Sequence, residues 1–192
     1  MKYSKKITFP TFLTLLRLFG APIMVPFFIV RYVPNNDITI NAAVAALFLL
    51  FGFTDFLDGF FARKYDQESQ LGATLDHLAD KFLTFSALVA LLAIGKISYI
   101  FVLLLIGREF FMMGLREIAL EHAMNIRVSS WGKLKTCVQI GTIAWIIVNP
   151  AQLQPHYFFN GIEFSLLIAI VMLAWYSALQ YCIVVYAQLK NR

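Results

Sequence analysis

The sequence predicts an all-α, polytopic integral membrane protein with six transmembrane helices, and three observations predict it. Sixty per cent of the 192 residues are apolar and only 14% are charged, whereas a soluble domain of this length needs more polar surface to cover its core. Mean hydropathy is +0.72. The apolar residues also gather into six runs, each near the roughly 20 residues that cross a bilayer.

The elements follow in order. The first run spans about Ile7 to Val30, with Pro22 and Pro26 as expected kinks. The lysines at 2, 5 and 6 resemble the basic start of a signal peptide. Arg17 and Pro22 interrupt the apolar run behind them and no small-residue cleavage site ends it, so the segment reads as a retained helix. Arg31 to Asp37, with Pro34 and two asparagines, is a turn-rich break. The second run spans about Ile38 to Phe61, and Arg63 to Gln70 forms a polar connection. The third spans about Leu71 to Ile94, followed by a tight turn at Gly95 and Lys96. The fourth spans about Ser98 to Leu120, the polar segment Glu121 to Ser130 follows, and the fifth spans about Trp131 to Val148. A loop with Pro150 and Pro155 leads to the sixth, about Ile162 to Leu189. No strand alternation, internal repeat or second domain is visible, so residues 1–192 read as one membrane-embedded domain. Cys137 and Cys182 lie in apolar stretches and read as small buried hydrophobes, without a metal or disulfide pattern.

Charge orients the chain. Lys2, Lys5, Lys6, Arg63, Lys64, Arg127, Lys190 and Arg192 fall on one side of a six-span arrangement, and Arg31 and Lys96 on the other. The richer side is cytoplasmic by the positive-inside rule, which places both termini there. The net charge of +5 fits anionic headgroups and phosphate-bearing substrates, with no nucleic acid as partner.

The acidic residues are less evenly spread. Six of eleven lie between Asp55 and Asp80. Asp55 and Asp58 are three apart and Asp76 and Asp80 four apart, so each pair shares a helix face. A short connection turns the chain back between them, so the two faces can converge. Burying such carboxylates is costly unless they are compensated, and no run of arginines stands nearby. Hard oxygen ligands from two helices suit Mg²⁺ or Mn²⁺, as one ion or two. A two-metal site is one way to steady attacking and leaving oxygens in phosphoryl transfer. A cation pathway through the membrane uses the same residue type, but tends to place its carboxylates near mid-span. These four stand near the cytoplasmic ends of their runs. Gly59 and Gly72 allow close approach to the backbone, and Arg63 offers a planar fork to phosphate.

Together these residues spell Asp55-x2-Asp58-Gly59-x2-Ala62-Arg63-x8-Gly72-x3-Asp76-x3-Asp80. The pattern resembles the signature of the CDP-alcohol phosphotransferase family at all eight fixed positions. Chance agreement at one starting position is on the order of 10⁻¹⁰ at average composition. Three further stretches, Pro10 to Arg17, Gly107 to Arg116 and Ser130 to Thr136, are similar to the bacterial branch that forms phosphatidylglycerophosphate. Two positions depart from many relatives: Thr11 stands in place of Asn, and His77 in place of Pro beside Asp76.

The resemblance implies a phosphatidyltransferase of phospholipid biosynthesis, acting in the bacterial cytoplasmic (inner) membrane with its active site facing the cytoplasm and a homodimer as its common form. It implies transfer of the phosphatidyl group from CDP-diacylglycerol to glycerol 3-phosphate with release of CMP. It implies metal binding by Asp55, Asp58, Asp76 and Asp80, with two Mg²⁺ (or Mn²⁺) ions and Asp80 also acting as general base. It implies a CDP pocket at Asp55, Gly59, Ala62, Arg63 and Gly72. Charge bears on the acceptor independently. Arg108 and Arg116 are eight apart and can share an inward face, and Lys133 and Lys135 begin the fifth run. Four cations exceed what an uncharged acceptor needs and suit an acceptor phosphate. The two lysines also fit ordinary cytoplasmic flanking charge, and Glu109 and Glu117 read as partners of the arginines.

Overall fold

The computed structural model describes the backbone of residues 9–64, 70–122, 130–149 and 161–190, and the side chains of 20–53, 81–122, 134–149 and 163–190. Among the described residues there are six α-helices and no strand: α1 (Phe9–Tyr32), α2 (Ile38–Lys64), α3 (Gln70–Ala93), α4 (Tyr99–Glu121), α5 (Ser130–Val148) and α6 (Gly161–Lys190). The six apolar runs thus appear as six helices, with ends shifted by three residues at most. Two shifts carry information. α2 continues through Arg63 and Lys64, so these residues end a helix where a polar connection is expected. α1 runs through both Pro22 and Pro26 to Tyr32, and a single 3-10 turn, Val33–Asn35, follows. Asn36 then takes the left-handed region at φ 57°, which its short polar side chain tolerates.

α3 is the central helix. It packs most extensively on α1 and also touches α2, α4 and α5, while α6 covers α4 and α5. Each helix turns a helically spaced stripe to this core: Ala21, Val25 and Ile29 on α1, Val44, Ala45 and Phe48 on α2, Leu83, Ala87 and Leu91 on α3, and Leu167, Ile170 and Ala174 on α6. The alanines in these stripes let helix backbones approach closely. The opposite faces are apolar too. Ile23, Phe27, Leu103, Leu120, Met172 and Ile183 are exposed, an apolar exterior that water would penalise and lipid accepts. Among the described residues, Glu163–Lys190 of α6 is the helix long and apolar enough to cross a membrane, with shorter apolar stretches at Ile38–Phe53, Lys81–Ala93 and Leu134–Val148. Cys137 is exposed and Cys182 half-buried, both as free thiols. The expectation of a buried pair is therefore corrected: their apolar neighbours face outward as well as inward.

The turn from α3 to α4 carries a second polar feature. Gly95 sits at φ 74°, and the amides of Gly95 and Lys96 donate to the carbonyls of Leu92 (3.0 Å) and Leu91 (2.9 Å), the paired bonds of a Schellman cap. This cap turns Lys96 inward. Its ammonium is buried and donates to the carbonyls of Ile146 (3.0 Å), Ile147 (3.4 Å) and Asn149. A cation thus caps the C-terminus of α5, where carbonyls lack helical partners and the dipole is negative. Asn149 donates in turn to Glu163 (2.6 Å), in the first turn of α6. Burial pushes the Lys96 ammonium down to about 8, against the opposing pull of the Glu163 charge.

Candidate active site

α2 ends and α3 begins on either side of one short connection, and the two helices touch. Asp55 and Asp58 fall in the last turns of α2, and Asp76 and Asp80 in the first three turns of α3. Their helical register is as expected, three and four residues apart. At about 1.5 Å per residue, Asp80 lies about 15 Å along α3 from Gln70. Asp80, ten residues into α3, and Asp55, nine residues before the end of α2, thus stand nearer mid-helix than Asp58 and Asp76. The side chains of Asp55, Asp58, Asp76, Asp80, Gly59, Ala62, Arg63, Gly72, His77 and Lys133 lie outside the described residues. Among the described residues, no group of three His, Cys, Asp or Glu could hold a metal ion. Four carboxylate groups on two touching helices fit a hard divalent cation.

One residue past Asp80, the described structure opens on a buried cluster of charge. Lys81 of α3, Arg108 of α4 and Lys135 of α5 converge on the carboxylate of Glu109. Oε1 accepts from Arg108 Nη1 (2.8 Å) and from Lys135 Nζ, and Oε2 accepts from Lys81 Nζ. Three of the four side chains are below one-tenth exposed, and Lys81 is 16% exposed. Glu109 therefore ties three helices together through one carboxylate. Breaking such a buried network by removing one partner costs about 3–5 kcal/mol, because a charge is left uncompensated.

Arg108 extends the network to α6. Its Nε donates to the carbonyl of Ala174 (2.9 Å) and its Nη2 to Ser177 Oγ, while Ser177 Oγ itself donates to the Ala174 carbonyl (2.9 Å). The small side chains of Ala174, Ser177 and Ala178, all buried, leave the groove into which the guanidinium fits. Of its five N–H donors, three are engaged in these contacts. Arg116, two turns along α4, is half-buried. The structure thus brings Arg108 and Lys135 together as the sequence suggests, with Arg116 further along the same helix.

The model of the CDP-alcohol phosphatidyltransferase family matches residues 7–187 of the chain. The chain belongs to this family. Members of the CDP-alcohol phosphatidyltransferase family are membrane-associated and generally depend on divalent metal, which agrees with the apolar exterior and with the carboxylate donor set. Several curated relatives are called CDP-diacylglycerol–glycerol-3-phosphate 3-phosphatidyltransferase. The protein of that name from Shigella flexneri serotype 5b is 34% identical over 178 residues, covering 90% of this chain and 91% of the relative. That from Haemophilus influenzae is 35% identical over 148 residues, 73% and 77% of the two chains. That from Rickettsia typhi is 34% identical over 140 residues, 73% and 76%.

For this CDP-alcohol phosphatidyltransferase, sequence reasoning missed Lys81 and understated Glu109. Glu109 is expected only as a partner of the arginines, yet it also takes Lys81 and Lys135. The signal was present: a glutamate inside an apolar run needs partners, and its two oxygens can accept from more donors than one arginine. Lys81 had none, because a lysine beside a signature aspartate reads as flanking charge until α4 and α5 are folded against it.

Proposed function

We propose that this protein transfers the phosphatidyl group from CDP-diacylglycerol to glycerol 3-phosphate, giving phosphatidylglycerophosphate and CMP for anionic phospholipid synthesis. The observation that supports it most is the buried cluster of three cations around one carboxylate, one residue beyond the signature. Among these four side chains the formal charge sums to two positive, the charge a phosphomonoester dianion complements. An uncharged acceptor would leave that surplus in a low-dielectric site, which is costly. The names of the curated relatives point to the same pair of substrates.

In this reading Asp55, Asp58, Asp76 and Asp80 hold divalent metal, Mg²⁺ or Mn²⁺, as two ions. The metal, when bound, neutralises the diphosphate of CDP-diacylglycerol and makes CMP a better leaving group. Asp55, Gly59, Ala62, Arg63 and Gly72 line the CDP pocket, the small residues admitting the nucleotide and Arg63 pairing with phosphate. Lys135, Arg108, Arg116 and Lys133 hold the acceptor phosphate, with Arg108 anchored on α6 while it does so. Asp80 accepts the proton of the acceptor hydroxyl, since an alcohol is a weak nucleophile until that proton has somewhere to go. The acceptor oxygen then bonds to the phosphorus bearing diacylglycerol. The bond from that phosphorus to the bridging oxygen breaks, and CMP departs with the electron pair.

The six helices cross the bacterial cytoplasmic membrane as one domain with both termini in the cytoplasm. The site opens to that side, where soluble acceptor and CMP are exchanged, and α6 supplies a homodimer face. The reaction is tested with purified protein, CDP-diacylglycerol and Mg²⁺ by following CMP release with a panel of acceptors. Glycerol 3-phosphate is expected to support the fastest release. Faster release with serine or inositol phosphate contradicts the acceptor assignment.

A further inference from the structure

Glu109 is the odd member of a cluster built to attract phosphate, because a carboxylate repels the ligand that its neighbours would bind. Its geometry explains its presence. A lysine ammonium rides on a flexible four-carbon stem and loses side-chain entropy when fixed. The cluster fixes two such stems from different helices, Lys81 of α3 and Lys135 of α5, on opposite oxygens of one carboxylate. The carboxylate is itself held in place, since Arg108 Nη1 donates to Oε1 while Arg108 Nε is tied to the Ala174 carbonyl of α6. The chain of contacts therefore runs from the α6 backbone through Arg108 and Glu109 to the Lys135 ammonium.

We propose that Glu109 is a positioning residue of the acceptor subsite, fixing the Lys135 ammonium so that it meets the acceptor phosphate already ordered. The proposal rests on glycerol 3-phosphate being the acceptor. It opposes simple electrostatics in a way that can be measured. If Glu109 acts only through its charge, Glu109→Gln makes the subsite more positive and tightens acceptor binding. If it acts by ordering Lys135, the same change loosens acceptor binding.

The experiment is steady-state CMP release by the full-length protein in mixed micelles, with each substrate varied in turn. Glu109→Gln is expected to raise the KM for glycerol 3-phosphate roughly tenfold, the scale of a lost charge-assisted hydrogen bond, with the KM for CDP-diacylglycerol within about twofold. Glu109→Asp is expected to recover part of the loss. Lys135→Met is expected to raise the acceptor KM by itself, and adding Glu109→Gln to it is expected to change little further, because the effect passes through Lys135. An unchanged or lowered acceptor KM in Glu109→Gln overturns the proposal, as does an equal rise for both substrates or an additive double variant. Should Glu109→Gln lack a native melting transition, Glu109→Asp carries the same comparison, and a uniform loss for both substrates then overturns it. Wild-type protein that ignores glycerol 3-phosphate but releases CMP with another acceptor removes the acceptor reading first, and the proposal with it.

Discussion

Lys96 shows how one residue can serve the fold at a cost that pH exposes. Its ammonium caps α5 through three carbonyls, yet burial lowers its pKa from 10.5 to about 8. Below pH 8 the lysine is protonated in both folded and unfolded chains, and its contribution is constant. Between about 8 and 10.5 the unfolded chain binds the proton that the folded chain has released, so folding stability rises with pH there, by up to about 1.4 kcal/mol per unit. Melting temperatures of wild type and Lys96→Met, measured in detergent from pH 7.5 to 10, are therefore expected to diverge in favour of wild type as pH rises. Parallel curves would contradict the burial cost. Sequence alone gives Lys96 as a stray positive charge on the less basic side. Its partners are backbone carbonyls of a helix fifty residues away, which no local pattern reveals. Asp55, Asp58, Asp76 and Asp80 are the opposite case: their spacing and their scarcity in an apolar chain mark them before any fold is known.

At the scale of elements, the apolar runs made helices legible to within a turn, because span length and the turn residues between runs constrain both ends. Gly95 is the clearest instance, ending α3 in a left-handed turn as a glycine after an apolar run predicts. The continuation of α2 through Arg63 and Lys64 was less visible, since charged residues read as a connection although both are good helix formers. Beyond the convergence of α2 and α3 across their short connection, which helices touch was not legible. The groove on α6 that receives Arg108 depends on Ala174, which is fully buried. Ala174→Leu fills that groove, and overpacking of this kind costs about 1–3 kcal/mol. The variant is expected to melt at lower temperature in detergent, with Arg108 displaced from the α6 carbonyl. A melting point equal to wild type would show that α4 and α6 are not held together at this position.

At the scale of the whole molecule, the described residues set a buried charge cluster within a largely apolar core, and the exterior is apolar too. The signature on α2 and α3, the cation cluster on α3, α4 and α5, and the anchor on α6 together draw on five of the six helices. The aspartate signature was readable from sequence, since its residues are close along the chain. The buried charge cluster was not readable as a unit, since Lys81, Arg108 and Lys135 meet on Glu109 across three helices.

The most direct test of the central claim is the mass of the lipid product formed from carbon-labelled glycerol 3-phosphate and CDP-diacylglycerol, measured beside CMP. The expected product is phosphatidylglycerophosphate bearing the whole label, equimolar with CMP, with none from Asp80→Asn. CMP released with unlabelled phosphatidic acid, the product of water attack, would contradict it.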